Sequence, residues 1–265
     1  MVGISFSALD LSPTALALIL SILAASALMS GLSGFGFSAI GALCLWLLPP
    51  QLGVPLLMSL SAANQLMSLG QLKADVAPWR RWWPDGPAPY ILGGLIGVPV
   101  GLMLLHTLPD LVLMALFGAF LVGYAAYATL KPNAARKPVE GGRIASALVG
   151  LAGGVIGGFT AFPGAALIVW SGLRQLSKRD TRAIVQPYIL CLQIVSLVLL
   201  AIRHPHTFDR RFWLLLALSL PVVLPSTLLG VRLYRSLSDI GFRHATFMLL
   251  GASGLSLLVK AATTR

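Results

Sequence analysis

The sequence predicts an all-α, polytopic membrane protein. It is read as two inverted repeats, each a broken, glycine-rich helical hairpin followed by three transmembrane helices, about eight helices in all. Three observations lead there. Of 265 residues, 57% are hydrophobic and only 10% charged, with mean hydropathy +0.87, whereas a soluble domain averages roughly 25% charged residues. Residues 1–72 contain a single formal charge, Asp10, too few to coat a water-exposed fold of that length. Glycine patterns also recur in the same order on either side of a basic stretch.

Taken in order, the chain opens with Leu11–Leu48, too long for one helix and interrupted by Gly31, Gly34 and Gly36. Its apolar start lacks the positive segment of a signal peptide, so it is expected to be retained in the membrane. Three spans of the length a bilayer needs follow, Leu52–Leu69, Pro89–Leu105 and Asp110–Leu130. Together these make a first transmembrane repeat, 1–130, closed by a basic cytoplasmic linker, 131–143. The second repeat, 144–265, begins with Ile144–Leu173, which breaks at Gly157, Gly158 and Pro163 and leaves arms of about 15 and 10 residues. Arms that short favour a helical hairpin that enters and leaves by one face. Ile184–Ile202, Arg211–Val231 and His244–Ala261 complete it. The first broken region also fits two short full spans, with the same parity.

Basic residues test this layout. With both broken regions as hairpins and the N-terminus outside, segments 70–87, 131–143, 174–183 and 232–243 face inward and hold 14 of the 19 Lys and Arg residues. Arg203, Arg210, Arg211, Lys260 and Arg265 remain outside. A continuous span over Ile144–Leu173 would put the dense 174–182 cluster on the wrong side. Trp79, Trp82, Trp83 and Tyr90 fall at the inner aromatic belt. The net charge of +11 is therefore a topology signal, and no nucleic-acid partner is expected.

The duplication is read from two matches. Gly31-Leu-Ser-Gly34 with Gly41-Ala42 pairs with Gly154-Val-Ile-Gly157 with Gly164-Ala165 at an offset of 123, and Gly101…Asp110 pairs with Gly230…Asp239 at 129. Each half makes an odd number of crossings, so the halves are inverted, a plan shared by many secondary transporters. Gly97-x3-Gly101 is read as a helix-packing pair.

On these residues the sequence resembles the TauE/SafE sulfite exporter family. The Gly-rich motif Gly31–Ala42, its repeat Gly154–Ala165 and the half-endings Gly101–Asp110 and Gly230–Asp239 carry the resemblance over nearly the whole chain. Members often follow the first motif with a glycine run and a proline. Here it reads Gly34-Phe-Gly-Phe-Ser38 without the proline, while the second copy keeps Pro163. The resemblance implies movement of small sulfur-containing or organic anions, with sulfite and sulfonates the obvious candidates.

All eight acids fall in loops or at segment ends, so neither a proton relay through a buried carboxylate nor a carboxylate cation site is expected. Cys44 and Cys191 read as small apolar residues, and no metal ligand set, cofactor or catalytic constellation is found. His204 and His206 share an outer loop, and His106 and His244 sit at segment ends. The expected protein is a secondary permease in the cell (inner) membrane rather than an enzyme or a membrane scaffold. Its partners are a small anionic substrate and membrane lipid, with a homodimer allowed. The anion is expected where the hairpin tips meet, at Gly34, Phe35, Gly36, Phe37 and Ser38 and at Gly157, Gly158, Phe159, Thr160 and Ala161, between Asn64 and Gln193. Helix starts at the tips and the Ser38 and Thr160 hydroxyls would supply the donors, with no Lys or Arg in the core.

Overall fold

A computed structural model describes residues 9, 11–71, 83, 86–130, 139–234 and 239–263, and every regular element among them is helical. In chain order these are α1 (Pro13–Ser33), α2 (Phe37–Gly41, continued by 3-10 turns over Ala42–Trp46), α3 (Pro50–Gln71), α4 (Ala88–Thr107), α5 (Asp110–Leu130), α6 (Arg143–Thr160), α7 (Gly164–Leu173), α8 (Lys178–Arg203), α9 (Arg210–Tyr234) and α10 (Asp239–Thr263). Among the described residues, α1, α3, α4, α5, α6, α8 and α9 are long and apolar enough to cross a membrane. The protein is a polytopic membrane protein. Most of the basic linker (131–138), Lys73, Arg80, Arg81, Trp79, Trp82 and Arg235 lie outside the described residues.

Helix starts follow local chemistry. Ser12 caps α1 by accepting from the Ala15 N–H at 3.1 Å, with Pro13 at the first helical position. Ser177 caps α8 by accepting from the Asp180 N–H, and its hydroxyl donates back to the Asp180 carboxylate at 2.6 Å.

Both broken regions double back. Along α2, Gly41 lies beside Ser26 and Cys44 beside Ile19, so the chain retraces α1. At the end of α7, Leu173 accepts from the Val139 N–H at 3.2 Å, and Arg174 packs over Gly141. The residues before α6 and after α7 therefore share one end of the bundle, as the hairpin reading requires. Arg143 over the Trp83 ring and Arg174 beside the Tyr90 hydroxyl belong to the same end. At the opposite end Lys260 donates to the carbonyls of Leu45 and Trp46, at 2.8 and 2.9 Å, and Gln51 donates to Asp110 at 2.7 Å.

The first arm of the second hairpin is longer than the roughly 15 residues the sequence suggests. α1 has 21 residues and α6 has 18, about 32 and 27 Å at 1.5 Å per residue. In the second region the helix runs through Gly157 and Gly158, which the sequence reading placed at the break; the chain turns only at Ala161. The reason is packing. Gly93, Gly97 and Gly101 on α4 face Gly150, Gly154 and Gly158 on α6, and a Cβ at any of the six would overlap backbone of the other helix. A spacing of four puts each trio on one stripe, and the missing side chains let the backbones approach. The packing reading of Gly97 and Gly101 holds, and Gly158 joins it. On the other side Gly31 of α1 is pressed against Gly230 of α9 in the same manner.

These contacts exchange partners between the halves. α1 packs on α9 and α6 on α4, while α3 packs on α8 and α5 on α10. α3, largely buried, runs through the centre with α8, between the two hairpins.

One end of the bundle also carries a histidine cluster. The His106 ring stacks on His204 with centroids 3.7 Å apart, and His206 meets His204 edge-on at 6.3 Å. Desolvation first, then His106, His206 and Arg203, hold the His204 pKa below its ordinary 6.5. The folded arrangement thus favours neutral His204, and its stability contribution is intact above pH 6.5. It falls away as the pH drops below 6.5 toward the lower folded-state pKa, because the undocked state takes up the proton first. Thermal unfolding followed across this window is expected to show a midpoint that falls on acidification, with a shallower fall in His204→Gln. Equal slopes in the two proteins would refute it.

Candidate functional site

The two breaks share a backbone turn and a hydroxyl cap. α1 ends in Gly34, with φ +81°, and α6 ends in Ala161, with φ +56°, both left-handed. One residue earlier, Ser33 donates to the Met29 carbonyl at 2.9 Å and accepts from the Phe35 N–H. Thr160 does the same with the Ile156 carbonyl, at 2.6 Å, and the Phe162 N–H. A glutamine from the central helices then holds each tip. Gln65 of α3 donates to the Gly34 carbonyl at 3.2 Å, and Gln193 of α8 to the Ala161 carbonyl at 2.8 Å.

The two tips match each other at a different offset from the glycine pattern. Gly34 corresponds to Ala161 and Ser33 to Thr160, 127 positions apart, rather than Gly34 to Gly157 at 123. Gln65, beside the expected Asn64, makes the bond to the first tip that Gln193 makes to the second. Glycine spacing misled because the second tip puts an alanine in the left-handed conformation, at a cost of about 1 kcal/mol. Two hydrogen bonds to the Ala161 carbonyl help hold it there.

The second of those bonds joins the tips. Ser38, one residue into α2, donates its hydroxyl to the Ala161 carbonyl. The hairpins enter from opposite ends of the bundle, yet the tips overlap rather than abut. Gly34 lies against Arg182 and Gln186 in the first third of α8, and Ala161 lies against Gln193 beyond its middle. The structure therefore brings together Gly34, Phe35, Gly36, Phe37, Ser38, Thr160, Ala161 and Gln193. Gly36, with φ +87°, makes the second left-handed turn, and Phe37 is buried in the core.

Four expected residues have other duties. Gly157 packs on the Pro163 ring and Gly158 on Gly101, both within α6. Phe159 belongs to the apolar core. Asn64 donates to the Ser30 hydroxyl at 2.7 Å and accepts from Thr227 at 2.6 Å, which ties α3 to α1 and α9. The hydroxyl protons of Ser38 and Thr160 are likewise spent on carbonyls, so neither is offered to a ligand in this state.

The expectation of a core without Lys or Arg is also corrected. Arg182, counted among the inner-loop charges, is only 4% exposed and donates to the Gly31 and Leu32 carbonyls at 3.0 and 3.3 Å. α8 begins at Lys178, so Arg182 is already one turn inside the helix and turned toward α1. Sequence reasoning also missed Phe162, whose ring meets Tyr124 and Phe120 of α5 edge-on, at 6.4 and 6.5 Å.

Against known proteins, no curated protein and no solved structure matches the chain. The family profile described as sulfite exporter TauE/SafE matches residues 18–257. That span takes in both hairpins apart from the first five residues of α1, both tip glutamines and all but the last few residues of α10. The chain belongs to the TauE/SafE sulfite exporter family.

Proposed function

We propose that the protein is a secondary permease carrying a small anion, namely sulfite, a sulfonate or a related organic anion, across the cell (inner) membrane. The anion passes where the two hairpin tips overlap, at Gly34–Ser38 and Thr160–Ala161 beside Gln193. The observation that carries this reading is the Ser38 bond to the Ala161 carbonyl, since it brings two interrupted helices from opposite ends of the bundle to one place. Interrupted helices in a membrane core are tolerated where they line a site. The matched tips and the exchanged packing partners also support the reading of the halves as inverted repeats.

An inside-negative potential drives such an anion outward. One negative charge crossing 100 mV gains about 2.3 kcal/mol, more than a tenfold gradient is worth. Purified protein in proteoliposomes loaded with labelled sulfite is expected to release it faster when the interior is made negative, with no sodium gradient present. Ser38→Ala, which unties the tips, is expected to slow release. Flux that requires a sodium gradient at clamped voltage would overturn the voltage-driven reading.

A further inference from the structure

The histidine cluster joins the two helices that flank the second tip. α4 reaches that hairpin through Gly101 on Gly158, and α8 through the Gln193 bond to the Ala161 carbonyl. Midway along, Gly94 of α4 lies against Tyr188 and Leu192 of α8. Further on, His106 in the last turn of α4 stacks on His204, the residue that ends α8, with ring planes 12° apart. The two helices therefore run side by side in one direction. His106 lies five residues beyond Gly101 and His204 eleven beyond Gln193, so the stack closes α4 on α8 past the tip.

The stack suits neutral rings. His106 Nδ1 lies 3.1 Å from the Leu102 carbonyl, which can only accept, so Nδ1 bears a proton and Nε2 is left to take up a second. The charges nearest the pair are positive. Arg203 precedes His204, His206 meets it edge-on, and Arg210 and Arg211 open α9. α3 carries no titratable side chain. The described carboxylates at this end are engaged elsewhere: Asp110 accepts from Gln51 and adjoins Lys260, and Asp209 accepts from the Phe212 N–H. A proton on each ring would set like charges 3.7 Å apart, a repulsion that water weakens without removing. Desolvation first, then His106, His206 and Arg203, already make His204 a weaker proton acceptor than a free imidazole.

We propose that the His106–His204 stack is a proton-released latch: neutral rings hold the ends of α4 and α8 together, and acid on that side of the membrane parts them and opens a way to the second tip. Protons bind the parted state more tightly, because separated rings regain an ordinary imidazole's affinity, and so they shift the population toward it. The glycine stripe makes α6 follow α4, and with α6 goes the tip that Ser38 and Gln193 hold. The distribution of basic residues makes that side the outside. The role in transport rests on reading the chain as a permease, whereas the latch does not.

The test is the distance between spin labels at Thr107→Cys and Ile202→Cys, exposed positions at the ends of α4 and α8. The full-length protein, with Cys44 and Cys191 replaced by alanine, is measured in liposomes by electron dipolar spectroscopy, well above and well below pH 6.5. A single short distance is expected above, and a longer population below, with a reversible midpoint under 6.5. His106→Phe with His204→Phe keeps an aromatic pair that takes no proton and is expected to stay short throughout. His106→Gln is a milder variant expected to lose most of the acid shift. A wild-type distance that ignores pH overturns the latch, and so does an undiminished acid shift in either variant that folds. Labelled sulfite flux in the same liposomes keeps the two readings apart. An intact acid shift with no flux overturns the permease reading and leaves the latch standing.

Discussion

Gly97→Val and Gly154→Val are each expected to abolish recovery of folded protein, whereas Gly123→Ala leaves it intact. A Cβ at Gly97 meets the Leu151 carbonyl and one at Gly154 meets the Gly94 carbonyl, both backbone atoms that cannot swing aside. Overpacking that side chains can absorb costs about 1–3 kcal/mol. Here α4 and α6 must separate along their shared length, and helices in lipid are held mainly by the close packing that would be lost. At Gly123 a Cβ meets nothing within 4 Å, and alanine there favours the helix by about 0.5–1 kcal/mol. Gel filtration in detergent with thermal unfolding checks this. A sharp, wild-type-like Gly97→Val would show that the glycine stripe is not what binds α4 to α6.

Asn64→Leu is expected to lower stability by about 2–3 kcal/mol, the cost of stranding buried polar partners. The amide links Ser30 on α1 to Thr227 on α9, and all three side chains are buried. Because Thr227 shares the network, Asn64→Leu combined with Thr227→Val should lose less than the sum of the single losses. Additive losses in denaturant or thermal unfolding would mean that the three groups do not act together.

The hairpin layout was legible because it depends on features a sequence displays openly, namely arm length, helix-breaking residues and the sidedness of Lys and Arg. The match between the two tips was not. Gly-x-x-Gly recurs at 123 because glycines serve close packing on α6, while the conformational counterpart of Gly34 is Ala161, a residue with no signature of left-handed backbone. Asn64 stands 129 positions before Gln193, the offset that also separates Gly101 from Gly230, and only the hydrogen bonds to the tip carbonyls single out Gln65. Arg182 was hidden in a cluster with Arg174, Lys178 and Arg179, where its charge counted toward topology. Its separation from Gln186 by four residues and from Gln193 by eleven places all three on one helical face, which was the available signal. The ring contacts of Phe162 with α5 join residues far apart in sequence and leave no trace in local pattern.

The swapped packing of the first arms decides which parts can move as bodies. α6 is interlocked by its glycines with α4, and α1 with α9, so each unit contains helices from both halves of the chain. Rocking one half of the chain against the other would tear both interlocks. Any opening that leaves them intact must instead carry α4 with α6 as one lever and α1 with α9 as another, pivoting on α3 and α8 between them. The mobile seam then runs through the middle of each half of the chain. Crosslinks from α4 to α6 would leave turnover unaffected, while a staple across the tips, from position 38 to position 161, would stop it.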